Sequence, residues 1–452
     1  MKVRGFGRFT FLLVAALMVF AVFMGSCGSS KDETSGGSGN ATGGGGDTTG
    51  VTDTEITLGT LMPLSGSPTA AWGIEISEGM QVYFDYINQQ GGLYGRKIKL
   101  VVGDSQYSGP VATEAIRKLV EQDKIFALVA DLGTEPEAAI YQYLQDRGVP
   151  DLYVLSGVSR FTEPVGKNRF TTMVDYGTEG RIFATYLKEN FDGKKLGILA
   201  QNDDYGKEGE EGTRAGLKEF GANMDVTTEY YDVAQSDVTA QVQRLKADNV
   251  EVIMFWGSPV QAANMMKTVR ETLSWDVPML VNEANALDIT AQLAGNDNIE
   301  GVISTTIGRQ AWETDVQGVR DRKAIMAQVA PDLPFDNSTL VGYTIAEGIV
   351  GLLKQAGKNL TRESLIAACE SVCNFATDLS LLPASTSPTD HRFLETEIFV
   401  KATVDRSGPS PVFRWQIFGD PIGFESTTNC TVPTPPPGGV DQPGPPLGSE
   451  KK

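Results

Sequence analysis

The sequence predicts an α/β protein of two lobes, each a mainly parallel sheet with helices on both faces. Three observations lead there. Segments of strand character alternate with segments of helical periodicity along most of the chain, and repeated βα units place their strands side by side and parallel. The alternation starts afresh after residues 170–179, where the chain enters a second set of units. The 452 residues, 41% of them hydrophobic, suffice for the cores of two or three globular units.

The first unit can be read residue by residue. Ile56, Leu58 and Thr60 alternate into Leu61 as a strand does, and the Pro, Gly and Ser cluster from Pro63 to Pro68 breaks it into a loop. Ile76, Met80, Tyr83, Phe84 and Ile87 recur at helical spacing, and Gly91-Gly92 end that helix where a left-handed residue is least costly. Ile98 to Val102 then reads as a strand buried on both faces.

Three motifs in this unit, Pro63-Leu64-Ser65-Gly66, Trp72-Gly73 and the run from Ile87 to Asp104, resemble those of a known family. It comprises the solute-binding lipoproteins of branched-chain amino acid (Leu/Ile/Val-type) ABC importers, with the type I periplasmic-binding-protein fold. The resemblance runs from about Thr52 to Asp420. It implies two lobes joined by three hinge crossings, a solute held between them, and no cofactor or catalysis. Trp72 falls at the place of an apolar wall of the site.

The N-terminus carries Lys2, Arg4 and Arg8, an apolar run from Phe9 to Phe23, then Met24-Gly25-Ser26-Cys27. This is a lipoprotein signal pattern, with Cys27 as the lipidated first residue; an uncleaved anchor is the alternative. Residues 28–50 are nearly all Gly, Ser, Thr, Asn and Asp, a flexible tether whose root-mean-square span would be about 25–30 Å. Removing the signal takes away three basic and no acidic residues, so the net charge moves from −19 to −22. That charge repels polyanions and argues against nucleic acid as a partner. A single histidine, His391, argues against histidine catalysis or a histidine metal cluster. Among Cys369, Cys373 and Cys430, Cys373 is expected to pair with Cys430 or with Cys369.

The site candidates lie where strands end. After the apolar run Ile125–Ala130 come Gly133, Thr134 and Glu137, with capping-box spacing from Thr134 to Glu137. Two readings stand, a plain helix start or free N–H groups that take a ligand carboxylate, as the family's loop does. Ser156-Gly157-Val158 falls at the family's second carboxylate-binding loop; Ser156 and Gly157 match in kind and Val158 departs. In the second set of units the loops after Gln201, Trp256 and Val281 matter, because open α/β sheets bind ligands at the carboxyl ends of strands. The resemblance puts Tyr205 facing the ligand, Ser258 where the leucine/isoleucine/valine binders have Tyr, and Glu283 where a carboxylate takes the ligand ammonium. Adjacent Asp203 and Asp204 point apart and lack the converging oxygens of a metal site. Tyr343, on a helix with Ile345, Ile349, Leu352 and Leu353, is a further ligand candidate.

The expected organisation is residues 1–27 signal, 28–50 linker, 51–173 with 308–392 lobe 1, 174–307 with 393–425 lobe 2, and 426–452 a disordered Pro/Gly-rich tail. The expected function is capture of a small polar solute, an amino acid above all, by lobe closure and its delivery to an ABC permease, with the lipid anchor on the outer face of the cytoplasmic membrane or in the periplasm. A ligand sensor of the same fold, or a receptor for amides or aromatic and organic acids, is the alternative. No Gly-x-Ser-x-Gly elbow, His pair or Cys-His pairing supports a hydrolase.

Overall fold

The computed structural model describes residues 46–377 and 379–424; the signal with Cys27, most of the tether, Cys430 and the tail lie outside the described residues. Lobe 1 is built from β1 (Glu55–Met62), α1 (Ala70–Gln89), β2 (Lys97–Asp104), α2 (Gly109–Glu121), β3 (Ala127–Val129), α3 (Thr134–Asp146), β4 (Asp151–Val154) and β5 (Arg169–Thr171). The five strands stand in the order β2-β1-β3-β4-β5, every pairing parallel. β1 runs through the middle with seven of its eight residues buried. β2 corrects an expectation: it is an edge strand paired with β1 and carries Val102 at 39% exposure, so its apolar run covers a border instead of a core.

Lobe 2 follows with α4 (Tyr176–Phe191), β6 (Lys195–Gln201), α5 (Asp204–Glu219), β7 (Asp225–Tyr231), α6 (Thr239–Ala247), β8 (Val252–Trp256), α7 (Pro259–Lys267), β9 (Met279–Val281), α8 (Asp288–Ala294), α9 (Asn296–Ile299) and β10 (Ile303–Thr306). The chain then supplies α10 (Gln317–Val329), α11 (Asn337–Ala356) and α12 (Arg362–Cys369) before β11 (Thr396–Asp405), β12 (Val412–Ile417) and β13 (Ile422–Gly423). The second sheet reads β12-β11-β10-β9-β8-β6-β7 with β13 on β11, and its last strands are antiparallel. The chain passes between the two sheets after β5, after β10 and before β11.

α11 returns to lobe 1 and lies directly on α1. Its start is set by Asp336, whose carboxylate accepts the Thr339 N–H while Thr339 Oγ1 accepts the Asp336 N–H. The two helices approach so closely that a Cβ on Gly79 would sit 2.1 Å from the Thr339 carbonyl oxygen, and one on Gly342 would sit 2.0 Å from that of Ile76. Only glycine fits at either place.

Three further expectations change. Residues 46–50, assigned to the tether, are docked: Asp47 pairs with Arg362 at 2.8 Å and its N–H donates to Glu363. Thr134 is the first residue of α3, with Gly133 before it at φ +119°, so the Thr134–Glu137 capping box does not form. Cys369 is a free buried thiol while Cys373 is disulfide-bonded, so the Cys373–Cys369 pairing is excluded and the partner lies outside the described residues. Among the described residues no helix is long and apolar enough to cross a membrane.

Candidate ligand-binding site

A chamber of about 170 Å³ opens where the crossings meet α1, α11 and the loop after β9. Its wall is mostly apolar. Trp72 and Ile76 come from α1, Leu340 and Ile345 from α11, Leu155 and Met173 from the ends of β4 and β5, and Leu379 and Phe393 from the segment before β11. Most of its polar side chains are already engaged. Asn337 Nδ2 donates to Gln310 Oε1 at 2.7 Å, Gln310 Nε2 to Thr306 Oγ1 at 3.1 Å, and Thr344 Oγ1 to the Leu340 carbonyl at 2.8 Å. Arg309 pairs with Glu313 at 3.0 Å.

Glu283 is different: its backbone N–H donates to Glu179 Oε1 at 2.6 Å, while its carboxyl has no hydrogen-bond partner among the described residues. It lines the chamber, and burial pushes its pKa up to about 7. Behind it stand Glu179 on α4 and Glu397 on β11, at 0% and 1% exposure, each with one oxygen unpartnered. Burial raises both well above the carboxylate range, and nearby acidic groups add to the rise: Glu397 for Glu179, Glu283 for Glu397. The chamber floor is therefore an acidic spot with no bound cation from the protein beside Glu283.

The other expected site residues gather elsewhere, in a sealed polar nook between the lobes. Thr134 Oγ1 and Ser156 Oγ lie 2.7 Å apart. Two tyrosines meet there at Gln201: its Nε2 donates to the Tyr107 hydroxyl and its Oε1 accepts from that of Tyr231, each at 3.5 Å. Tyr205 stacks on Tyr176 with centroids 4.4 Å apart, accepts from Asn282 at 2.6 Å and donates to the Gly257 carbonyl at 3.2 Å. Ser258 Oγ lies 3.5 Å from Gln201 Oε1, and Val158 is buried, its carbonyl accepting the Phe161 N–H.

Of the ten expected residues, then, Trp72 and Glu283 line the chamber, while Gly133, Thr134, Ser156, Gly157, Val158, Tyr205 and Ser258 surround the nook. Tyr343 belongs to neither: fully buried, it packs edge-on against Tyr83 at 4.9 Å with Val82 and Met326, because its face of α11 meets α1 and α10. Sequence reasoning missed Tyr107, Tyr176 and Tyr231, which only the fold brings to the loops, and the segment 375–394. Its apolar Phe375, Leu379, Leu382 and Phe393 were the available signal.

One cluster has metal-ligand spacing: oxygens of Asp131, Glu137 and Asp151 lie within 4.8 Å of one another, all buried. Arg169, 3.4 Å from Glu137 and likewise buried, already supplies a positive charge there. Burial raises all three carboxyls, and for Glu137 and Asp151 the neighbouring carboxylates add to the rise. Arg169 and retained protons balance the cluster without an ion.

The two sheets, the chain crossings between them and the chamber where they meet define a two-lobed α/β binding protein. The chain belongs to the periplasmic binding protein family, whose model matches residues 55–408. It is 25% identical over 307 residues to the Leu/Ile/Val-binding protein homolog 3 of Brucella melitensis, covering 67% of this chain and 80% of that protein. To the amino acid binding protein of Pseudomonas aeruginosa it is 24% identical, covering 68% and 80%. Its fold matches a fatty acid ABC transporter substrate-binding protein from Thermomonospora curvata with a TM-score of 0.73 at 24% identity, covering 86% of this chain and 97% of that one. A branched-chain amino acid ABC transporter protein from Thermus thermophilus, with bound valine, superposes with a TM-score of 0.71 at 18% identity, covering 82% and 98%.

Proposed function

We propose that the protein is an exported solute-binding lipoprotein that takes a solute with an apolar body and a hydrogen-bond-donating head into the chamber and delivers it to an ABC importer. Carrying this reading is the juxtaposition of Trp72 and the unpartnered Glu283 carboxyl in one mostly apolar chamber. Closure of the lobes excludes water, so the contact between head group and carboxylate forms in a low-dielectric site, where a charge-assisted hydrogen bond contributes roughly 1.5–3 kcal/mol. An amino acid with an apolar side chain is the simplest solute of this description, and Glu283 favours it through the ammonium. Lobe 1 would comprise residues 51–173 with 308–392 and lobe 2 residues 174–307 with 393–425.

A thermal-shift screen of the mature chain against amino acids, amides, amines and aromatic acids tests the solute reading. A ligand at 100 times its Kd should stabilise by about 2.7 kcal/mol. Absence of any shift across such a screen would sink it. Cys27 lies outside the described residues, and its lipidation is tested separately: Cys27→Ala should free the protein from membranes. Retention with the leader uncleaved would make the leader an ordinary anchor.

A further inference from the structure

Resting on the reading of the chamber as the solute site, we propose that Arg309 is its anion anchor, so that the solute is an apolar molecule ending in a carboxylate. Arg309 lies on the chain crossing after β10, away from the loops of Thr134 and Ser156 where the family resemblance put carboxylate binding. It is the one basic side chain among the described residues of the chamber wall. An anion entering a mostly apolar chamber needs a fixed positive partner, and no other wall residue supplies one.

The guanidinium is only partly engaged by the protein. Nη1 pairs with Glu313 Oε1 at 3.0 Å, whereas Nε is buried without a hydrogen-bond partner. Nε and the neighbouring Nη2 form one edge of the planar group, and their parallel N–H bonds match the two oxygens of a carboxylate. A buried N–H of a charged group left without an acceptor is costly, and a carboxylate arriving through the chamber removes that cost. Glu283, on the same wall, forms no ion pair with Arg309, so this edge stays open to a solute.

The residue is also held in place before any solute arrives. Its backbone N–H donates to the Leu379 carbonyl at 2.9 Å. Glu313, itself buried, accepts the Gln310 N–H at 2.7 Å with its other carboxylate oxygen. Asn337 ties the same turn to α11, its Oδ1 accepting the Ala311 N–H at 2.7 Å. A guanidinium ordered in this way loses little freedom on binding, so more of each contact appears as affinity. Its side chain is 35% exposed, which lets water screen the contact and sets the expected effect near tenfold. The apolar body of the solute then lies against Trp72, Ile76, Leu340 and Leu379.

Isothermal titration calorimetry of the mature chain with leucine, phenylalanine and hexanoate, each beside its primary amide, tests the anchor. Each pair shares one apolar body and differs only at the carboxylate. At least one carboxylate should bind tenfold or more tighter than its amide. Arg309→Gln should weaken that carboxylate about tenfold and move its amide less than twofold, with the fold intact by circular dichroism. Because Arg309→Gln leaves the buried Glu313 unpaired, a double variant with Glu313→Gln removes both charges together and should show the same loss. Arg309→Lys keeps the charge without the planar edge and should recover only part of the affinity. Amides that bind as tightly as carboxylates in the parent would overturn the inference. So would carboxylate affinity that survives in Arg309→Gln and the double variant but is lost in Ser156→Ala, which would put the anion at the strand-end loops. If a solute without a carboxylate binds and no carboxylate does, the anchor falls and the solute-binding reading stands; if a broad screen finds no binder, both fall.

Discussion

Arg160 Nη1 lies 2.6 Å from Asp204 Oδ2, joining the loop after β4 to the start of α5 and so one lobe to the other. Next to it the Ser159 N–H donates to both carboxylate oxygens of Glu208, at 2.9 and 3.2 Å. On another side of the chamber the Asn337 N–H donates to Asp288 Oδ2 at 2.7 Å. These contacts are local latches between bodies whose covalent connections are the crossings alone.

Removing the Arg160–Asp204 latch should therefore change shape more than stability. Both side chains are about half exposed, at 46% and 48%, so the pair contributes only about 0–1 kcal/mol. Arg160→Ala should unfold within about 1 kcal/mol of the parent yet show a larger radius of gyration by small-angle scattering, reversed by saturating ligand. Identical scattering from parent and variant would show that the latch holds nothing.

Glu283 should make the empty protein pH-sensitive. Its folded pKa of about 7 lies above the ordinary 4.5, so the stability it contributes is present below 4.5 and is lost as the pH rises through about 7. Glu283→Gln should match the parent in acid and exceed it in alkali, by at most about 3.5 kcal/mol at about 1.4 kcal/mol per pKa unit. Urea titrations at about pH 4 and pH 8 measure this. Amine affinity should rise over the same interval, because ionised Glu283 is the binding form. The groups facing it are acidic: Glu179 from α4, Glu397 from β11 and Asp175 ahead of α4, the last compensated by Arg392 at 3.5 Å, with Arg309 the cation on the chamber wall. An alkaline loss of amine binding below pH 8 would contradict this sign.

Tyr343 and Trp72 should separate packing from binding. Tyr343→Ala empties a fully buried site between α1, α10 and α11 and should cost about 3–5 kcal/mol with ligand affinity unchanged once the protein is folded. Trp72→Ala, at a half-buried chamber position, should cost less stability and more affinity. Equal affinity losses in the two variants would show that Tyr343 does reach the solute.

Arg169→Met should expose the strain of the Asp131, Glu137 and Asp151 cluster. Breaking a buried ion pair by removing one partner typically costs about 3–5 kcal/mol. The three carboxyls are already raised and Arg169 lowers each of them, so the variant holds its protons more tightly and its deficit grows as the pH rises. Denaturation midpoints that fall equally at acid and alkaline pH would assign the effect to lost packing alone.

Much of the fold was legible in local patterns because periodicity is a local property. Ile56 to Leu61 and the helix face from Ile76 to Ile87 appear as β1 and α1, and Leu196–Gln201, Val226–Tyr231 and Val250–Trp256 appear as β6, β7 and β8 within a residue or two. The motifs around Pro63 and Gly91 led to the family, and Glu283 at the end of a strand led to the chamber. The sequence by itself thus determined the order of elements, the two-lobed class and one acidic residue of the chamber wall. Tertiary structure alone decided that β2 lies at an edge, that Asp47 is docked on Arg362, and that Tyr343 faces α1 and α10. It also decided that Tyr107 and Tyr231, far apart in the chain, meet at Gln201, and that Tyr176 stacks on Tyr205. A hydrogen bond depends on where both partners lie in space, and residues 94 positions apart, such as Tyr107 and Gln201, meet only after two sheets have packed and the lobes have come together.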